Sequence, residues 1–407
     1  MTTTAPSSST IEIDHRATRQ IYLARALRDF GDGFVALLLP VYLTALGLGP
    51  FEVGAVATLA LLGSAVTTLA IGFIGSKFDQ RLLLIAASAI MIATGLAFAA
   101  SNALLIFVIA CVGTINPSAG SVSIFVPLEH AVLARSVPAI ERTAMFARYG
   151  LIGGIAAAAG SLAAASPELM TAVGLTQLTA LKLMFVFYAL LGVAGALSYV
   201  RLPPEPPLPQ ATAGALGASR TFVYKLAALF SVDAFAGGLV VQSLMALWLF
   251  NKFGLSLAAA GLFFFWSGLL AAFSYPVAAW LARRIGLINT MVWTHIPSSV
   301  CLILAALAPN VYVALGLLLV RFALSQMDVP TRSSYVMAVV TPPERTAAAS
   351  FTAVPRSLAP TLSPLIAGAL FAAGYEAWPF VIAGTLKIAY DLALLWTFRD
   401  VKPPEEQ

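Results

Sequence analysis

Mostly apolar runs of about 20 residues, the length a helix needs to cross the hydrocarbon core of a bilayer, recur along the whole chain and are separated by short polar breaks. They fall at roughly 21–46, 52–75, 82–100, 104–134, 144–165 and 173–199, and again at roughly 226–250, 257–281, 287–307, 311–340, 346–371 and 378–398. Between the two sets lies RLPPEPPLPQATAGALGASRTFVYK, residues 201–225, whose clustered prolines forbid helix and favour an extended, solvated linker. The expectation is an all-α membrane protein of twelve transmembrane helices. One six-helix bundle covers 21–200, a cytoplasmic linker 201–225, and a second six-helix bundle 226–398, with cytoplasmic tails at 1–20 and 399–407. The first tail is rich in Ser and Thr, lacks the apolar core of a signal peptide and is expected to be disordered.

Composition makes water an unsuitable solvent. The 407 residues are 60% hydrophobic and 10% charged, against roughly 45–50% and about 25% in soluble domains. Cys111 and Cys301 both sit inside apolar runs, which offers neither a disulfide framework nor a zinc-ligand spacing and makes them small packing residues.

The net charge of +5 acquires meaning from its placement. Arg16, Arg19, Lys77, Arg81, Arg135, Arg142, Arg201, Arg220, Lys225, Arg283, Arg284, Arg345, Arg399 and Lys402 all fall in loops or tails on one side, and Lys252 alone on the other. Basic loops stay cytoplasmic, so both termini are expected inside, in the inner (plasma) membrane of a bacterium. The same dispersal over short loops leaves no nucleic-acid patch.

The chain also repeats itself. VPLEHAVLARSVPAIERTA (126–144) matches VPTRSSYVMAVVTPPERTA (329–347) at an offset of 203, and ALKLMFVFYAL (180–190) matches TLKIAYDLALL (385–395) at 205, pairing Lys182 with Lys387. Two ordered matches at nearly one offset point to duplication of a six-span unit, a parallel repeat about an axis along the membrane normal.

From about residue 20 to 400 the sequence resembles the major facilitator superfamily, with no subfamily assigned. The family's signature loop, roughly Gly-x3-Asp-(Arg/Lys)-x-Gly followed by basic residues, has its counterpart in GFIGSKFDQR (72–81). Gly72, Lys77 and Arg81 are retained, while Ser76 replaces the acid and Asp79 the second glycine. In the second half, AWLARRIGLI (279–288) retains Arg284 and Gly286. The resemblance implies two pseudo-symmetric bundles that work by alternating access, with these loops at the cytoplasmic gate. GLIGGIAAAAG (150–160) is similar to a glycine-rich stretch that the family associates with exporters, though without its proline, and the Gly150–Gly154 spacing equally suits tight helix packing.

Ionisable groups inside a span are costly and usually face a cavity or one another. In the first span Arg25, Arg28, Asp29 and Asp32 share one helical strip, with Arg25–Asp29 and Arg28–Asp32 in reach. Asp29 or Asp32 is expected either to line the central cavity or to pair with those arginines near the membrane edge. Asp32 and Asp233, in the seventh span, are the candidate proton carriers. The tenth span places Arg321, Asp328 and Arg332 on a strip interrupted by Pro330, and the fourth, broken around Asn116, Pro117 and Gly120, carries Glu129 and His130 after Pro127. The repeat superposes Glu129 on Arg332; helices 4 and 10 face each other in the family, so the two either pair across the path or each find a partner at home. Arg356, in the eleventh span, requires an acidic partner or an anionic ligand. Lys182, Lys387 and His295 fall on helices peripheral in the family, which assigns them structural roles. The aromatic run FFFW (263–266) is either a cavity wall or a lipid-facing surface.

No phosphate-binding GxxxxGK(S/T), GxSxG, HExxH or CxxC is present, which argues against ATP-driven transport and against an intramembrane enzyme; no metal or cofactor is implied. The sequence points first to a monomeric, proton-coupled exporter of a small organic molecule. Proton-coupled uptake of an organic anion or nutrient is the alternative, and a ligand sensor built on a transporter fold is the second.

Overall fold

A computed structural model describes residues 15–74, 78–101, 103, 105–118, 123–136, 142–204, 217, 219–341, 344–399 and 401. Every regular element among them is helical. Helices α1 (His15–Ala45), α2 (Pro50–Ile74), α3 (Gln80–Ala100), α4 (Leu105–Val112), α5 (Phe125–Ser136), α6 (Arg142–Ala163), α7 (Ser166–Ala172) and α8 (Gln177–Val200) form the first half. The second runs through α9 (Arg220–Gly238), α10 (Gln242–Phe253), α11 (Leu257–Ile285), α12 (Leu287–Ala306), α13 (Val311–Ser325), α14 (Asp328–Val339), α15 (Arg345–Leu358), α16 (Ser363–Ala372) and α17 (Trp378–Phe398). Helix thus begins at His15 rather than beyond residue 20, and at Arg220 rather than at 226, because helical propensity extends the apolar core outward by one or two turns past each predicted edge.

Nine described segments are long and apolar enough to cross a membrane. The three remaining expected spans fail that criterion for visible reasons. Helix α1 carries too many charges, while the fourth and eleventh spans are split, into α4 and α5 and into α15 and α16 with a 3-10 turn between the latter pair. Spans 7 and 10 are broken too, at Leu239–Val241 after the Gly237-Gly238 pair and at Gln326–Met327. Pro330 is not the break expected of it. It occupies the first turn of α14, as Pro127 does in α5, where a missing backbone N–H costs nothing.

Close packing runs within each half, through α1–α6, α1–α8 and α3–α8 in one and α12–α17, α9–α15 and α9–α17 in the other. The halves meet along α6–α11, α2–α16 and α1–α10. Large apolar side chains such as Leu82, Phe273 and Trp293 stand on the outside, as a surface solvated by lipid requires.

Candidate functional site

Between the halves lies a cavity of about 700 Å³. Its first-half wall is built mainly from small residues of α6, Gly150, Gly153, Gly154, Ala157 and Ala158; its second-half wall carries Asp233, His295, Arg321, Asp328, Arg332, Arg356 and Lys387. The glycines divide the work in a way that spacing alone does not reveal. A side chain on Gly150 would meet open space, whereas one on Gly153 would collide with Arg25 and Asp29, and one on Gly160 with the backbone of Phe30. Close packing thus rests on Gly153 and Gly160, seven residues apart on one face, rather than on the Gly150–Gly154 pair.

Two buried ion networks flank this space. In the first half Arg28 donates from both Nη atoms to Glu129, Nη1 to Oε1 and Nη2 to Oε2, each at 2.9 Å. Such a two-armed contact is the strongest geometry open to this pair. The Tyr199 hydroxyl donates to Glu129 Oε1 at 2.5 Å and the Tyr149 hydroxyl to Oε2, while the Arg28 guanidinium lies 4.5 Å from the centre of the Phe125 ring. Arg25 Nε sits 2.7 Å from Asp29 Oδ2, the contact that helical spacing predicts. The companion Arg28–Asp32 contact does not form, because Glu129 takes both arms of Arg28. Asp32 meets the Tyr188 hydroxyl at 3.3 Å instead, and no cation lies at ion-pair distance from it among the described residues. Asp29 lines the cavity; Asp32 sits behind it, 2% exposed.

In the second half Asp233 is the hub. Lys387 Nζ reaches its Oδ1 at 2.5 Å and Arg332 Nη1 its Oδ2 at 3.2 Å. Arg332 also donates from Nη2 to Asp328 Oδ2 at 2.5 Å. His295 bridges onward, with Nδ1 2.9 Å from Asp391 Oδ2 and Nε2 3.7 Å from Asp233 Oδ1. Glu129 and Arg332 therefore do not pair across the path: each is satisfied in its own half. His295, Lys387 and Asp391 belong to the network, and His295 and Lys387 line the cavity rather than the periphery on which the family resemblance placed their helices. Lys182, the repeat partner of Lys387, is not among the residues lining the cavity.

The loop residues predicted for a gate make local contacts. Asp79 caps α3, its carboxylate accepting from the Arg81 N–H at 2.9 Å. Gly286, at φ 86°, ends α11 in a conformation that disfavours any side chain, and Arg284 stacks 4.6 Å from the centre of the Trp280 ring. Gly72 lies in the last turn of α2, and Lys77 lies outside the described residues. Of the aromatic run, Phe264 lines the cavity beside Phe322 while Trp266 points outward. No group of His, Cys, Asp and Glu converges as metal ligands among the described residues.

A helical membrane protein with a charged cavity between two related halves is the architecture of a solute carrier. The model of the Major Facilitator Superfamily matches residues 21–325 and 226–407, and the chain belongs to that family. It is similar to the uncharacterized membrane protein YJR124C of Saccharomyces cerevisiae, with 26% identity over 95% of each chain. Its fold is shared with a crystal structure of a D-xylose-proton symporter, at 15% identity, TM-score 0.73 and coverage of 96% of this chain and 98% of that one. It is also shared with the nucleoside transporter NupG, at 15% identity, TM-score 0.70 and coverage of 94% and 99%. The human organic anion transporter MFSD10 gives 18% identity, TM-score 0.63 and coverage of 93% and 99%. The family and these structures are of transporters; the chain is an MFS transporter of a solute.

Proposed function

We propose that the chain is a proton-coupled secondary transporter that moves a small organic solute by alternating access of two six-helix bundles joined by the 201–225 linker. Twelve segments cross the inner (plasma) membrane, both termini lie in the cytoplasm, and the chain works as a monomer without enzymatic activity. The observation that carries the reading is the hydrogen-bonded network of Asp233, Lys387, Arg332, Asp328, His295 and Asp391, set in the wall of the cavity. Its three carboxylates, Asp233, Asp328 and Asp391, share three basic side chains, Arg332, Lys387 and His295. Buried networks favour neutrality, and His295 is the member suited to gain and lose a proton. Asp32, held by a phenol and no cation, offers a second site where a proton offsets a buried charge. Export is the direction favoured by the likeness of GLIGGIAAAAG in α6, whose Gly150 and Gly154 line the cavity, to the exporters' glycine-rich stretch.

Liposomes containing the reconstituted chain and a trapped pH indicator test this. Adding a transported solute, from a panel of organic acids, sugars, nucleosides and drugs, is expected to move protons against it. Flux of a solute with no accompanying proton movement overturns the coupling, and ligand binding with no flux overturns transport.

A further inference from the structure

The cavity's cations are not equally satisfied. Arg25 is held by Asp29, Arg332 by Asp233 and Asp328, and Lys387 by Asp233. Arg321 and Arg356 line the same space, and neither forms an ion pair or a side-chain hydrogen bond among the described residues; Arg321 only lies over the ring of its neighbour Phe322, 4.9 Å from the centroid. A guanidinium does not lose its proton, and at membrane depth it needs an anion. All the acids of the cavity wall, Asp29, Asp233 and Asp328, are already committed. A second observation concerns Ser299, which lines the cavity, is 1% exposed and leaves its hydroxyl oxygen without any hydrogen-bond partner. It is a donor without a partner in the wall of the same cavity.

We infer that Arg321 and Arg356 form a binding site for an organic oxyanion, with Ser299 as an accessory donor and Phe264 and Phe322 as the wall for its apolar body. The inference names the solute class of the transport reading and rests on it only for the meaning of the site, not for the binding itself. A volume of about 700 Å³ is in the range that holds drug-sized ligands and far exceeds an inorganic ion. A cationic solute meets two unopposed guanidiniums and no free carboxylate. A neutral solute leaves both guanidiniums without a direct ion-pair partner.

The native chain in lipid nanodiscs is probed by thermal stability with benzoate and phenyl phosphate, against benzamide and benzylammonium as neutral and cationic shapes of similar size. Benzoate or phenyl phosphate is expected to raise the melting temperature in a saturable manner and the other two to leave it unchanged; whichever anion acts identifies carboxylate or phosphate as the headgroup. Arg321→Gln and Arg356→Gln should each weaken the anion's apparent affinity about tenfold, which is about 1.4 kcal/mol, and Arg→Lys should restore part of it. Equal stabilisation by benzamide, no stabilisation by either anion, or unchanged affinity in both Gln variants overturns the inference. Where the variants do not fold, the native benzoate–benzamide comparison decides alone. Anion binding without flux refutes transport and leaves this site standing, whereas proton-coupled flux of a neutral or cationic solute without anion binding does the reverse.

Discussion

Glu129 and Arg332 occupy equivalent positions of the internal repeat, and each is neutralised inside its own half, Glu129 by Arg28 at 2.9 Å and Arg332 by Asp233 at 3.2 Å. At the 205-residue offset that relates Lys182 to Lys387, Asp233 stands opposite Arg28. The two pairs are thus one device with its charges exchanged, locking span 1 to span 4 and span 7 to span 10. Glu129 is completely buried and Arg28 4% exposed, so removing one partner strands the other in a low-dielectric interior.

Glu129→Gln and Arg28→Ala are accordingly expected to destabilise the chain by about 3–5 kcal/mol each, read as thermal unfolding in nanodiscs. The exchange R28E/E129R should recover part of that loss. The exchange E129R/R332E should recover none, since those residues share no contact; rescue by it would contradict the arrangement described.

The sequence disclosed the membrane solvent, the duplication and the charges of spans 1, 7 and 10, because apolar runs are long and an ionisable group within one is conspicuous. It did not disclose which face of a helix meets which neighbour. His295 and Asp391 lie 96 residues apart, and periodicity does not relate residues at such a distance. Placing spans 9 and 12, which are α12 and α17, at the periphery hides them, although Asp391, one turn beyond a repeated Lys387, is a usable signal. Tyr149 and Tyr199 escaped notice for the same reason, as aromatic residues look like packing until the carboxylate they serve is placed beside them. The break of span 7 at Leu239–Val241 was not foreseen, and the break of span 10 lies at Gln326–Met327 rather than at Pro330 because a proline in a first helical turn interrupts nothing.

His295→Gln keeps a hydrogen bond to Asp391 but removes the proton. Solute-driven proton movement should fall to the level of empty liposomes, while exchange of solute without a pH gradient persists. Loss of both would mean that His295 holds the fold, and retention of both would remove it from the coupling path.

On the face away from the termini, Glu168 of α7 accepts from the backbone N–H groups of Leu257, at 2.6 Å, and Ala258, at 3.2 Å, at the start of α11. A carboxylate from one half thereby caps a helix of the other, where unpaired N–H groups and the helix dipole favour an anion. Glu168→Ala is expected to weaken this closure by about 1 kcal/mol and to lengthen spin-label distances between positions 169 and 262, with Glu168→Gln intermediate. Also between the halves, α2 and α16 approach so closely that a Cβ on Gly54 would collide with the Pro364 carbonyl oxygen. Gly54→Val should shift the same distances in the same direction and more strongly. Unchanged distances in both variants would show that the contacts do not hold this face shut.

Glu344, in the turn ahead of α15, ties the end of the linker to the second half. Its carboxylate accepts from the Gly217 N–H and from the Thr341 hydroxyl, the latter at 2.9 Å. Hydrogen bonds from Ser219 first and Thr341 next hold the carboxyl below its ordinary value of 4.5. A depressed carboxylate contributes its stabilisation in full above the unfolded value, and that contribution fades as pH falls through the folded one. Amide exchange at Gly217 and along the first turn of α9 should therefore be slow at neutral pH and quicken as pH drops below 4.5, once the intrinsic pH dependence of exchange is subtracted. Glu344→Ala should show the fast rate at every pH. If exchange of the 217–225 peptide is the same in native and variant protein at pH 7, the carboxylate does not anchor the linker, and the start of α9 is held by its apolar face alone, through Val223 and Leu226 against Phe398 and Tyr335.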